Sequence, residues 1–134
     1  MTTKDKIAIL CLDDERIILD SLKIQFEKEF KNNYLFEYAQ EPEEAIEIID
    51  ELIKEKINLL LVISDYQMPS MSGDLFVEIL HAKLPSVNII MLTGQMPNDV
   101  KLKLLNKNIV LKVISKPWNE SELISLIYNL AAHE

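Results

Sequence analysis

The chain has 134 residues, 49% hydrophobic and 27% charged, with a net charge of −8. That suits a single soluble domain, residues 1–134, with a core of its own and hardly room for a second. A lone cysteine, Cys11, excludes a disulfide-built scaffold and points to a reducing, cytoplasmic setting. No apolar run reaches membrane-spanning length, and the acidic balance disfavours a nucleic-acid partner.

The polar start "MTTKDK" has none of the layout of a signal peptide. It leads into "KIAILCL" (Lys6–Leu12), a nearly continuous apolar run that reads as a strand covered on both faces. "ERIILDSLKIQFEKEF" follows, with Ile18, Leu19, Leu22 and Phe26 on one helical stripe. "YLFEYA" (Tyr34–Ala39) admits Glu37, so it is expected at a sheet edge. "PEEAIEIIDELIKEK" opens with Pro42 at a first helical position and repeats Ala45, Ile49 and Leu52. "NLLLVIS" (Asn58–Ser64) is a second buried strand, and "DLFVEILHAKL" a helix stopped by Pro85. "VNIIML" (Val87–Leu92) is a third buried strand, and "NDVKLKLLNK" a short, weak helix. "IVLKVIS" (Ile109–Ser115) tolerates Lys112 and reads as the other edge strand. "NESELISLIYNLAA" closes the chain, with Asn119 and Glu122 spaced as a capping box. Strand and helix alternate five times, which predicts a (βα)5 doubly wound parallel sheet with helices on both faces.

In such sheets the ligand site lies beyond the carboxyl ends of the strands. Asp13, Asp14 and Glu15 follow the first strand and Asp65 follows the third. Thr93-Gly94 follows the fourth and Lys116-Pro117 the fifth. Clustered aspartates repel and take up protons unless a cation joins them. Hard oxygen donors without Cys or His suit Mg²⁺ or Mn²⁺. A divalent ion, Lys116 and Thr93 can together bind the oxygens of a phosphoryl group, and an aspartate among them is a fitting nucleophile. Taken singly, Asp14 also reads as an N-cap, Thr93 as an ordinary strand-end residue and Lys116 as a solvated charge. Asp13 beside Asp14 argues against the cap, because one cap needs one acid. Gly73, after "MPSMS", is expected to supply backbone freedom in the loop after Asp65. Cys11 is expected to be buried and inert. Trp118 is either a contact surface or a cover for the end of the last helix.

The motifs "LDDE", "SDYQMPSMSG", "LTG" and "SKPW", at four successive strand ends, resemble those of response regulator receiver domains of two-component signalling, the chemotaxis-regulator type. The resemblance spans about residues 6–131. It implies a flavodoxin-like strand order of 2-1-3-4-5, with Asp65 as phosphoacceptor and Thr93 and Lys116 as the phosphate-sensing pair. It also implies a metal site in which Asp14, Asp65 and the Gln67 carbonyl bind Mg²⁺ directly and Asp13 binds through water. The Lys116-Pro117 bond is expected to be cis. The implied partners are a histidine kinase or phosphotransfer protein, an effector outside this chain, and a second copy of the chain. Neither a membrane nor direct contact with nucleic acid is expected.

Gln67 and Gln95 stand at the two positions that tune dephosphorylation in such domains. Val113 stands where receivers usually carry a strand-five aromatic, so the usual ring readout is absent or altered. Two other functions compete. An aspartate-nucleophile phosphohydrolase needs a second acid two residues after its nucleophile, and position 67 is Gln. A phosphorylation-independent interaction module would not need the full set of acids, hydroxyl and lysine. The expected output is movement of the fourth helix. A partner is then expected on the face formed by that helix, the fifth strand and the fifth helix, with Ile124, Tyr128 and Trp118 as apolar contacts. No effector motif follows the fifth strand, so the chain is expected to be a single-domain regulator or the receiver of a longer protein.

Overall fold

The computed structural model describes residues 6–133, and the polar start before Lys6 lies outside them. Strand and helix alternate as β1 (Ile7–Leu12), α1 (Arg16–Phe30), β2 (Leu35–Ala39), α2 (Pro42–Lys54) and β3 (Asn58–Ser64). They continue as α3 (Gly73–Lys83), β4 (Asn88–Thr93), α4 (Asn98–Asn106), β5 (Lys112–Ser115) and α5 (Glu120–Ala132). Every pairing is parallel, in the order β2-β1-β3-β4-β5. This is the doubly wound, flavodoxin-like α/β fold. Glu37 and Lys112 lie on the two edge strands, where a charge keeps contact with water.

Side-chain alternation splits the core into two layers. One layer packs Ala8, Leu10, Leu12, Val62 and Met91 against α2, α3 and α4, through residues such as Ile49, Phe76 and Leu104. The other packs Ile9, Cys11, Leu61, Ile63, Ile90 and Leu92 against α1 and α5, through Leu22, Phe26, Phe30, Leu123 and Ile127. Burying each such large side chain contributes about 1.5–3 kcal/mol. The stripe expected on the first helix holds for Leu19, Leu22 and Phe26, with Ile18 at its margin.

Two local expectations are corrected. The fifth strand begins at Lys112, three residues later than the apolar run. Asn108 takes a positive φ of 57°, and the Ile109 amide donates to the Leu104 carbonyl at 3.1 Å, so Ile109 closes the end of α4. Trp118 and Tyr128 also point away from α4. The Trp118 indole donates to Gln25 Oε1 at 2.9 Å, and the Tyr128 hydroxyl donates to Glu29 Oε2 at 2.7 Å. Both acceptors are on α1, because α5 shares its side of the sheet with α1. Ile124 is half-buried against the same layer.

At the start of α5, the Asn119 side chain accepts from the Glu122 amide at 2.9 Å. The Glu122 carboxylate binds Lys112 at 2.9 Å, so only this half of the capping box forms.

Candidate functional site

β1 and β3 are neighbours, with Leu12 in register with Ser64. The residues that follow them, Asp13 and Asp65, therefore emerge side by side. The Asp65 amide donates to the Leu12 carbonyl at 3.0 Å, and the Asp13 amide to Ala39 at 3.1 Å. On the other flank the Lys116 amide donates to the Thr93 carbonyl at 3.0 Å, which brings the ends of β4 and β5 together.

Lys116 reaches across to both acids. Its ammonium lies 2.6 Å from Asp13 Oδ2 and 3.1 Å from Asp65 Oδ2. Carboxylate oxygens of Asp13, Asp14 and Asp65 lie within 4.8 Å of one another. Burial pushes the Asp13 carboxyl above the usual carboxylate range, and the hydrogen bond and charge of Lys116 only partly oppose it. Burial works against the Lys116 ammonium, but hydrogen bonds and charges from the two acids outweigh it and hold it above the ordinary lysine value. The Lys116-Pro117 peptide is cis.

The remaining hydrogen bonds orient the acids. Asp13 Oδ1 accepts from the Glu15 amide at 2.9 Å, and Asp65 Oδ1 accepts from the Gln67 amide at 3.3 Å. The residue capping α1 is Glu15, without a side-chain cap bond, so Asp14 does not serve as the N-cap. Among the described residues the Asp14 carboxylate has no hydrogen-bond partner, and it is open to solvent. An acid left in this state beside two others is suited to a cation. The three acids, all hard oxygen donors, therefore form a cluster that can hold a divalent metal.

Thr93 is buried, and its hydroxyl donates to the Gln95 carbonyl at 3.0 Å. It belongs to the same edge but makes its bond within its own loop. Gly94 sits in open space, with nothing within 4 Å of an added Cβ. Gly73 acts differently from expectation, since neither glycine has a positive φ. A Cβ there would lie 2.5 Å from the Asp65 carbonyl oxygen and 2.5 Å from Tyr66 Cα. Its value is space: α3 starts directly against the backbone of the acid, and the Gly73 amide donates to the Tyr66 carbonyl at 2.7 Å.

Two neighbours escaped the sequence reading. Ser64, fully buried, donates to the Asp65 carbonyl at 3.0 Å. Tyr66 lines hollows on both sides of the loop after Asp65. Adjacency to Asp65 was the available signal for both. Cys11 is fully buried, and its burial, with Asp13 nearby, raises the thiol far above its usual range, as an inert core cysteine requires.

Comparison with known proteins agrees with this geometry. The response regulator receiver domain family matches residues 9–128. The chain is 33% identical over 124 residues to the uncharacterized transcriptional regulatory protein YesN of Bacillus subtilis, covering 92% of this chain and 32% of that protein. It is 35% identical over 72 residues to hybrid signal transduction histidine kinase D of Dictyostelium discoideum, covering 52% of this chain and 5% of that protein. It thus spans a minor part of both relatives. Among solved structures, a CheY-like receiver domain protein from Methanospirillum hungatei matches with a TM-score of 0.80, 29% identity and 96% coverage of each chain. The signal receiver domain of an HD domain-containing protein from Pseudomonas fluorescens matches with a TM-score of 0.82, 25% identity and 96% coverage of each chain. With an acidic cluster at the ends of β1 and β3, a lysine across it and the sheet order of those structures, the chain belongs to the response regulator receiver domain family, the regulatory domains of two-component signal transduction.

Proposed function

We propose that Asp65 is the phosphoacceptor of this receiver and takes its phosphoryl group from a phosphohistidine on a histidine kinase or phosphotransfer protein. The observation that carries this is the convergence of Asp13, Asp14 and Asp65 within 4.8 Å, with Lys116 bridging two of them. An Asp65 carboxylate oxygen attacks phosphorus. The P–O bond forms as the P–N bond breaks, and the electron pair leaves on the imidazole nitrogen. Lys116, already charged at the site, stabilises the phosphoryl oxygens. Thr93 exchanges its bond to Gln95 for one to the phosphoryl group.

Asp14, Asp65 and the Gln67 carbonyl would hold Mg²⁺ or Mn²⁺ directly, and Asp13 through water. When bound, the ion supplies positive charge to the acids and to the phosphoryl oxygens. Gln67 and Gln95 are neutral amides, so neither can act as the base that takes the proton of a water attacking the acyl phosphate, nor as the acid that a phosphohydrolase needs for its substrate's leaving group. That favours a regulatory domain with self-catalysed phosphorylation and dephosphorylation over a phosphohydrolase with a substrate of its own.

The output runs through α4. Leu104 is its one buried residue and Leu102 is 54% exposed, so its docking is among the weakest in the domain. Phosphorylation repositions α4 and opens the α4–β5–α5 face to an effector or to a second copy of the chain. The setting is cytoplasmic and the domain occupies residues 1–134. No helix among the described residues is long and apolar enough to cross a membrane.

The test is labelling with acetyl phosphate and Mg²⁺. Wild type is expected to gain one acid-stable, base-labile phosphoryl group, and Asp65→Asn none. Equal labelling of both proteins would refute the assignment.

A further inference from the structure

Tyr66 sits between two hollows. One, of about 580 Å³, is also lined by Asp14, Gln67 and Met68. The other, of about 570 Å³, is also lined by Thr93, Gln95, Met96 and Val113. Either is several times larger than a phenol ring. Tyr66 is half-buried against the α2–α3–α4 layer and shares the lining of the second hollow with Met96 and Val113. Its carbonyl is fixed by the Gly73 amide at 2.7 Å. Its hydroxyl has no hydrogen-bond partner among the described residues. The backbone is therefore held while no hydrogen bond fixes the ring, on the residue next to the acceptor carboxylate.

The two hollows respond differently to loading of the site. The first contains Asp14 and Gln67, so a hydrated cation and a phosphoryl group there make it more polar and more crowded. The second has Val113 on one side, and on the other the Thr93–Met96 loop, held by the Thr93–Gln95 hydrogen bond of 3.0 Å. That loop is lightly built, with Gly94 in open space. When Thr93 turns to the phosphoryl group, this bond is lost and the wall can yield.

We propose that Tyr66 is the residue that carries the state of the site to the α4 side of the sheet, its ring moving into the hollow between the Thr93–Met96 loop and Val113 when Asp65 is phosphorylated. The move rests on the phosphoacceptor reading above. It buries more of an aromatic ring and moves its hydroxyl toward the base of α4. Val113 is the small residue that leaves the seat open. Tyr66 is a positioning residue here; it does not touch the reacting atoms.

The test uses protein labelled with 3-fluorotyrosine, with Tyr66→Phe to assign the resonance. Beryllofluoride and Mg²⁺ stand in for the phosphoryl group, and the Thr93 amide reports their binding. On loading, the Tyr66 fluorine resonance is expected to shift while those of Tyr34 and Tyr38 hold still. Val113→Trp, which fills the seat, is expected to abolish that shift while the Thr93 amide still responds. A Thr93 response with an unmoved Tyr66 resonance in wild type overturns this inference alone, as does an undiminished shift in Val113→Trp. No Thr93 response in wild type overturns the phosphoacceptor reading and this inference with it.

Discussion

The Lys116 ammonium lies 2.6 Å from Asp13 Oδ2 and 3.1 Å from Asp65 Oδ2, so one cation holds two buried acids together. Replacing Lys116 with Met leaves both acids without that partner. The substitution is expected to cost about 3 kcal/mol in metal-free buffer. Saturating Mg²⁺ should recover part of the loss, because the ion supplies the missing charge. Urea denaturation with and without Mg²⁺ measures this; an equal loss in both buffers would place the effect in packing.

Asp14 neither caps α1 nor accepts a hydrogen bond from a described residue. Asp14→Ala should therefore leave the melting temperature in metal-free buffer unchanged or raise it through relief of repulsion with Asp13 and Asp65. The same variant should bind Mg²⁺ at least tenfold more weakly by calorimetric titration. A clear loss of stability without metal would return Asp14 to a structural role.

Gly73→Ala places a methyl group 2.5 Å from the Asp65 carbonyl oxygen and 2.9 Å from Met91 Cε. The Met91 end can shift, but the backbone oxygen cannot without moving Asp65. A cost of about 1–3 kcal/mol is expected, with slower phosphorylation by acetyl phosphate. Unchanged stability and rate would show that the loop absorbs the methyl group.

Lys56 follows α2 with a φ of 59° and donates to the Ile53 carbonyl at 3.1 Å, while Ile57 donates to Leu52 at 3.0 Å. This is a Schellman closure with a lysine where glycine is favoured. Lys56→Gly is expected to stabilise the domain by up to about 1 kcal/mol, read as a higher urea midpoint at constant slope. A lower midpoint would show that the lysine stem contributes packing.

Burial and the nearby Glu55 raise the Glu37 carboxyl above its ordinary value of 4.5. The folded chain therefore binds this proton more tightly than the unfolded chain. Its contribution is most favourable below the ordinary value and is lost as pH rises through the folded value. Glu37→Gln should flatten that part of the stability–pH profile and raise the melting temperature at neutral pH. An unchanged profile would mean that Glu37 is solvated on its edge strand.

Much of the site was legible because strand ends in a parallel sheet are marked twice, by the stop of an apolar run and by the polar residue that follows. Asp13, Asp65 and Lys116 come together as those marks require. Other features depend on neighbours that one-dimensional periodicity does not name. Ile109–Leu111 are as apolar as a strand, yet Ile109 belongs to a helix closure. Gly73 looked like a conformational need, but the need is room beside Asp65. Trp118 and Tyr128 were expected beside the α4–β5–α5 face but bond to α1, because the helix that meets them depends on which side of the sheet α5 occupies.

The bonds from Trp118 to Gln25 and from Tyr128 to Glu29 span 93 and 99 positions of the chain. Contacts of such long range form late, since a large loop must close before they give any return. During synthesis, a chain that has not yet delivered α5 leaves Ile90, Leu92, Phe26 and Phe30 without the helix that helps cover them. The α1 side of the nascent domain is thus its sticky side until the last thirteen-residue helix arrives. Slower docking of that helix would leave this apolar side open to association for longer.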